Sequence, residues 1–168
     1  MTGRFLLLST TVFGLLSSPV WAQVISDEAE MWRLHARAEE AIANGDADGA
    51  ALHSGKAALM AGQLAKQQPD SGAATIYRGA EALFRAQEHA YRAQALFQRA
   101  GGQVPASSGV CGTLQMAELK ATEATKHLNE KMEPASEPGY RGERDRLRGQ
   151  VADWRQTIEG LGKDFQCR

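Results

Sequence analysis

The chain has two cysteines, Cys111 and Cys167, and each stands at the outer end of an amphipathic helical pattern. Between the patterns lies Glu133-Pro134-Ala135-Ser136-Glu137-Pro138-Gly139, whose prolines interrupt a helix and whose glycine supplies a turn. The first pattern sets Leu114, Ala117, Ala121, Ala124, Leu128 and Met132 on one face. The second sets Leu147, Val151, Trp154, Ile158, Leu161 and Phe165 in a heptad seam of coiled-coil type. Two such helices joined by a short connection pack antiparallel, so the stretch reads as a helical hairpin closed by a disulfide.

The hairpin can be tested for register. In an antiparallel pair, facing residues have position numbers with a nearly constant total, and Cys111 and Cys167 total 278. Ala117 with Leu161 and Ala124 with Trp154 give the same total, while Ala121 with Ile158, Leu128 with Val151 and Met132 with Leu147 give 279. Small residues thus meet large ones, as close packing prefers. A register shifted by seven would set Cys111 beside Leu161 and bury Arg144. The first register unites the cysteines and leaves Arg144 on an overhanging tip. Gly160 and Gly162 also allow a bent tail to bring Cys167 to Cys111.

The compartment follows from the other end of the chain. Arg4, the apolar run 5–16 and the small-residue site Val20-Trp21-Ala22 before Gln23 form a secretory signal pattern, with cleavage expected between Ala22 and Gln23. The run is short for a bilayer span, and no second hydrophobic segment follows. A mature protein in the periplasm or medium, without stable membrane insertion, would meet the oxidising conditions a disulfide needs. Charge is nearly balanced, with 19 Lys+Arg against 20 Asp+Glu, so nothing favours nucleic acid as a partner.

Abundant Ala and Gln, sparse aromatics and scattered β-branched residues favour helix throughout. Five helices are expected, over about 26–44, 47–67, 71–100, 108–132 and 140–161. Asp27 and Glu30 resemble a capping box at the first start. Asn44-Gly45-Asp46 ends that helix, and Asp46 or Asp48 caps the next. In the second helix Ala50, His53, Ala57, Met60 and Leu64 form the apolar stripe, and Pro69 stops it. Asp70 or Ser71 opens the third helix. There Tyr77-Arg78, Phe84-Arg85 and Tyr91-Arg92 recur every seven residues, beside a stripe of Ile76, Ala80, Leu83, Ala90 and Phe97. Arg78, Glu81, Arg85, Glu88 and Arg92 alternate in sign, which reads as a solvated row of ion pairs. The loop 101–109, with Ser107 or Ser108 as a cap, divides the mature chain. The organisation is a signal peptide 1–22, a three-helix section 23–102, and the disulfide-closed hairpin 103–168 packed on it. The fold is all-α, a five-helix bundle or a repeat-like helical layer.

Gly45-Asp46-Ala47-Asp48-Gly49-Ala50, followed by Ala57 and preceded by Leu34, Ala38 and Ala41, resembles the helix–turn–helix of a tetratricopeptide repeat. The resemblance covers one unit, residues 31–64, and implies a helical protein-interaction surface.

No motif for a reaction is found. There is no Cys-x-x-Cys, no Cys-x-x-Cys-His for haem and no glycine-rich phosphate loop. His35, His53, His89 and His127 fall one to each of the first four helices, but the Glu-x-x-His pairs of di-iron bundles are absent. His53 is the one expected on an apolar stripe, with His89 and His127 exposed. Met31, Met60, Met116 and Met132 read as core before haem ligands. The reading is a non-enzymatic exported interaction or scaffold module, with no cofactor, a protein partner, and self-association left open. Its rivals are a periplasmic carrier of a small molecule, haem or metal within a helical bundle, and a chaperone-like protein.

Overall fold

The computed structural model describes residues 20–69, 72–104, 109–131 and 137–167. Among the described residues there are five helices: α1 Val20–Ala43, α2 Ala47–Gln67, α3 Gly72–Arg99, α4 Val110–Asn129 and α5 Glu137–Asp164. Among the described residues there is no strand. The chain is an all-α bundle, and a disulfide joins Cys111 to Cys167 with their Cα atoms 5.4 Å apart.

The helix ends follow local chemistry. Gly45 takes a φ of 81°, and Gly45 N–H donates to Ile42 O and Asp46 N–H to Ala41 O, both at 2.9 Å. That left-handed step ends α1. Asp46 then caps α2, its Oδ1 accepting from Gly49 N–H at 2.8 Å. Helix α1 starts six residues before the expected 26, because no residue between Pro19 and Gly45 interrupts a helix. Asp27 therefore lies inside α1 and is no cap; its carboxylate accepts from Gln67 on α2 at 3.5 Å. Helix α5 runs straight through Gly160 and Gly162 to Asp164. Gln166, at a φ of 54°, then turns the chain so that Cys167 N–H donates to Gly162 O at 2.9 Å. The expected caps at Asp70, Ser71, Ser107 and Ser108, and the Met132–Leu147 contact, fall at least partly outside the described residues.

Helix α3 lies between α2 and α4 and also meets α5, while α1 packs on α2. Chain direction alternates through the four connections, so α1, α3 and α5 run parallel. Tyr77 meets Tyr140 across a small cavity, and fourteen positions further on in both helices Tyr91 meets Trp154 edge-on with centroids at 5.2 Å. The result is a layer of α2, α3 and α4, with α1 and α5 across one side. Trp154 borders all three apolar clusters of the core and so joins the three-helix section to the hairpin.

Small residues bring α4 close to α3. Leu128 lies over Gly79, where a Cβ would come 2.6 Å from Leu128 Cγ. Beyond it, Ala86, Ala90 and Ala93 share a cluster with Leu114, Ala117 and Ala121. Between α4 and α5, Ala117 and Ala121 share that cluster with Ile158, Leu161 and Phe165, while Ala124 and Leu128 join Leu147 and Val151 in another. Arg148 Nη2 donates to Leu128 O at 2.8 Å across the same interface. This is the register in which the cysteines meet.

The placement of Arg144 needs correction. It is 8% exposed and does not overhang. The first turns of α5 lie against α1 and α3, with Tyr140 and Glu143 beside Val24, Glu28 and Tyr77, so a hairpin considered alone misjudges this end.

Gly79→Ala is expected to lower the unfolding free energy by about 1–3 kcal/mol through overpacking against Leu128, more than the gain of about 1 kcal/mol in helix propensity. Urea unfolding measures it, and an unchanged midpoint would mean that α4 steps back freely. Removing the disulfide with Cys111→Ser/Cys167→Ser should cost about 4 kcal/mol in the chain-entropy account, read as a lower midpoint in non-reducing conditions.

Candidate functional site

The four histidines do not converge. His35, not His53, is the buried one, at 6% exposure. Its ring lies 4.9 Å from that of Phe84 and 6.0 Å from that of Trp32, and Arg146 sits over Trp32 at 4.3 Å. Nε2 is 3.5 Å from Glu39, and Nδ1 is buried without a partner. Burial holds its pKa below the usual histidine value; Glu39 opposes this and Arg146 adds to it. His53 stands one position before the buried Ser54, on the edge of the helix face that holds Ala50, Ala57 and Leu64. It is half-exposed and borders an open depression with Arg37, Glu40, Ala41 and Asn44. His89 and His127 are half-buried, and His127 Nδ1 lies 3.1 Å from Glu130. Among the described residues no group of three or more His, Cys, Asp or Glu is placed to hold a metal ion. Met31 is core, Met60 half-buried and Met116 exposed.

The charged row of α3 carries the expected ion pairs, with Arg78 and Arg92 exposed, but its glutamates turn inward. Glu88 is only 8% exposed, and its carboxylate lies against the α2 backbone at Gly55, where a Cβ would come 3.1 Å from Glu88 Cδ. Glu81 lies in the same way against Gly62, at 2.9 Å. Glu88 in turn accepts from Arg85 Nη1 at 2.7 Å and Arg92 Nη2 at 2.6 Å. Two glutamates seven apart on α3 thus seat on two glycines seven apart on α2. The matching intervals were present in the sequence, and only the pairing of α2 with α3 gives them meaning.

With these contacts placed, the outward rows of both helices are determined. On α2, Gly55 and Gly62 face α3, while Ala50, Ala57, Ala58 and Leu64 join the core clusters. Leu52 and Leu59 therefore point away from the core, and they are 56% and 57% exposed. On α3 each arginine follows a core aromatic by one position, so Arg78, Arg85 and Arg92 line the same outer side. Helices α2 and α3 together present exposed leucines and lysines, the anchored Arg85 and Arg92, and Arg78 on the face opposite α1 and α5.

No family model, curated protein or solved structure matches the chain. The surface itself carries the functional argument.

Two further concavities lie between α4 and α5. Glu118, Ala152, Arg155, Gln156, Ile158 and Glu159 line an open groove of about 340 Å³. Thr125, Leu128, Asn129, Arg148 and Val151, again with Ala152 and Arg155, line another of about 240 Å³. The disulfide stands at one end, beside Gln115 and Glu118.

The buried histidine gives a pH dependence. Burial also holds the His89 pKa below its usual value, against Glu88, while Arg92, Arg85 and Lys120 lower it further. Both groups bind protons more readily in the unfolded chain. Stability should thus be full above about pH 7 and fall as pH drops through the unfolded value near 6.5 toward the folded values. His35→Gln should flatten that fall, as followed by urea unfolding between about pH 7.5 and about pH 5. An unchanged slope would assign the effect to His89 or to carboxylates.

Proposed function

We propose that the protein is an exported, non-enzymatic interaction module that binds another protein along the outer face of α2 and α3. The observation that carries this reading is the seven-residue row of Leu52 and Leu59, exposed beside arginines that Glu88 holds in place. Large apolar side chains grouped on a polar face mark association surfaces. The arginines have already given up much of their conformational freedom, which lowers the entropy cost of binding. The tetratricopeptide-like stretch 31–64 spans the hairpin of α1 and α2, and the same reading makes α2 its binding helix.

Export is supported by the signal pattern of 1–22 and by a disulfide suited to an oxidising compartment. No helix among the described residues is long and apolar enough to cross a membrane. Cleavage between Ala22 and Gln23 would remove only Val20, Trp21 and Ala22 from α1, and among the described side chains the first to reach the core is Val24.

A second reading, a small-molecule carrier, has the α4–α5 groove in its favour, with its apolar floor and Arg155 common to both concavities. The two readings separate by experiment. Immobilised mature protein, incubated with a periplasmic extract of its source, should retain a discrete protein that rebinds when purified. Leu52→Ser/Leu59→Ser should abolish that retention, whereas Ala152→Trp, which fills the groove, should not. The opposite pattern, or a coloured or metal-bearing protein as isolated, would favour the carrier. Reproducible turnover of any substrate would overturn both.

A further inference from the structure

We propose that the partner of the α2–α3 face is an acidic amphipathic helix whose apolar and acidic residues recur every seven positions. This rests on the interaction-module reading and adds to it the chemistry and secondary structure of the partner.

The shape of the face comes from its register. Gly55 meets Glu88 and Gly62 meets Glu81, so facing positions of the antiparallel pair total 143 in both cases. Leu52 is then level with Tyr91-Arg92, Leu59 with Phe84-Arg85, and Lys66 with Tyr77-Arg78. The surface repeats about every 10.5 Å along the helices, seven residues at 1.5 Å each. An extended strand places same-side residues about 6.8 Å apart and falls out of step with such a repeat. A helix with seven-residue periodicity keeps step, laying its apolar residues against Leu52 and Leu59.

The charge of the face sets the rest. Lys56, Lys66, Arg78, Arg85 and Arg92 stand against Glu81 and Glu88, five cations to two anions, while the whole chain has a net charge of −1. Lys56, Lys66 and Arg78 form no ion pair among the described residues. Arg85 and Arg92 each direct one terminal nitrogen to Glu88, and a guanidinium has five N–H donors in all. The remaining donors can receive a partner carboxylate from positions already determined. Two exposed leucines among five cations provide too narrow an apolar stripe for a helix that embeds in a lipid surface, so a protein helix is the better fit.

The experiment uses the mature disulfide-bonded protein and three synthetic peptides of about four heptads. One carries Leu and Glu at seven-residue spacing, one has Lys in place of every Glu, and one is a scramble of the first. Fluorescence anisotropy should show the acidic peptide binding at least about tenfold more tightly than either control, and weakening as salt rises from about 50 to about 300 mM. Leu52→Ser/Leu59→Ser and, separately, Lys56→Glu/Lys66→Glu/Arg78→Glu should each weaken it about tenfold while circular dichroism and the unfolding midpoint stay close to wild type. Equal binding of acidic and basic peptides would overturn the proposal, as would tighter binding to anionic phospholipid vesicles than to the acidic peptide. If a natural partner is retained through Leu52 and Leu59 but the acidic peptide does not bind, this inference fails and the interaction reading stands. If no partner is retained either, both fall.

Discussion

Helix α3 can have close neighbours on two flanks only because glycine lies at each contact. On the α4 side the glycine is its own Gly79, beneath Leu128; on the α2 side the glycines are Gly55 and Gly62, beneath Glu88 and Glu81. Helices approach only as far as the side chains between their axes allow, and removing Cβ at these points sets the separation. The α1 rings then reach Phe84 from across the core, and α5 finds a slot bounded by α1, α3 and α4. Had α2 carried larger residues at 55 and 62, the two carboxylates would have been pushed outward. Arg85 and Arg92, which Glu88 anchors, would then have been free.

The same spacing connects packing to function. The core side of the layer is filled by Tyr77, Phe84 and Tyr91 and closed by Trp154, which touches all three apolar clusters. The α4–α5 hairpin is fastened at one end by the disulfide and crossed toward the other by Arg148 on the Leu128 carbonyl. Helix α3 is thereby supported on its far flank while its outer side stays open. A surface displayed on supported helices loses little freedom when a partner arrives. The exposed leucines and anchored arginines of α2 and α3 meet that condition.

Much of the architecture was legible from periodicity. The five helices, the Gly45 stop, the Asp46 cap and the register of the hairpin all follow from residues close in sequence or from one covalent tie. The differences between pattern and structure share a cause. A hairpin taken by itself leaves Arg144 outside, whereas α1 and α3 cover that end. Periodicity sets His53 on the core stripe of α2, yet the contact with α3 turns that stripe toward Ser54 and leaves His53 at the rim. The core position belongs to His35, whose ring lies tilted against that of Phe84. The row of Glu81 and Glu88 looked solvated because ion-pair spacing says nothing of what lies beyond the helix.

The sequence by itself determined which segments are helical, where they end and how α4 faces α5, since these depend on propensity, capping and the pairing of two cysteines. Only the tertiary structure decided which polar groups are buried and which apolar ones remain exposed. A helical repeat defines the sides of each helix, but which side meets another helix depends on how all five share one core. That shared core is why Glu88 and His35 are inside and Leu52 and Leu59 are outside.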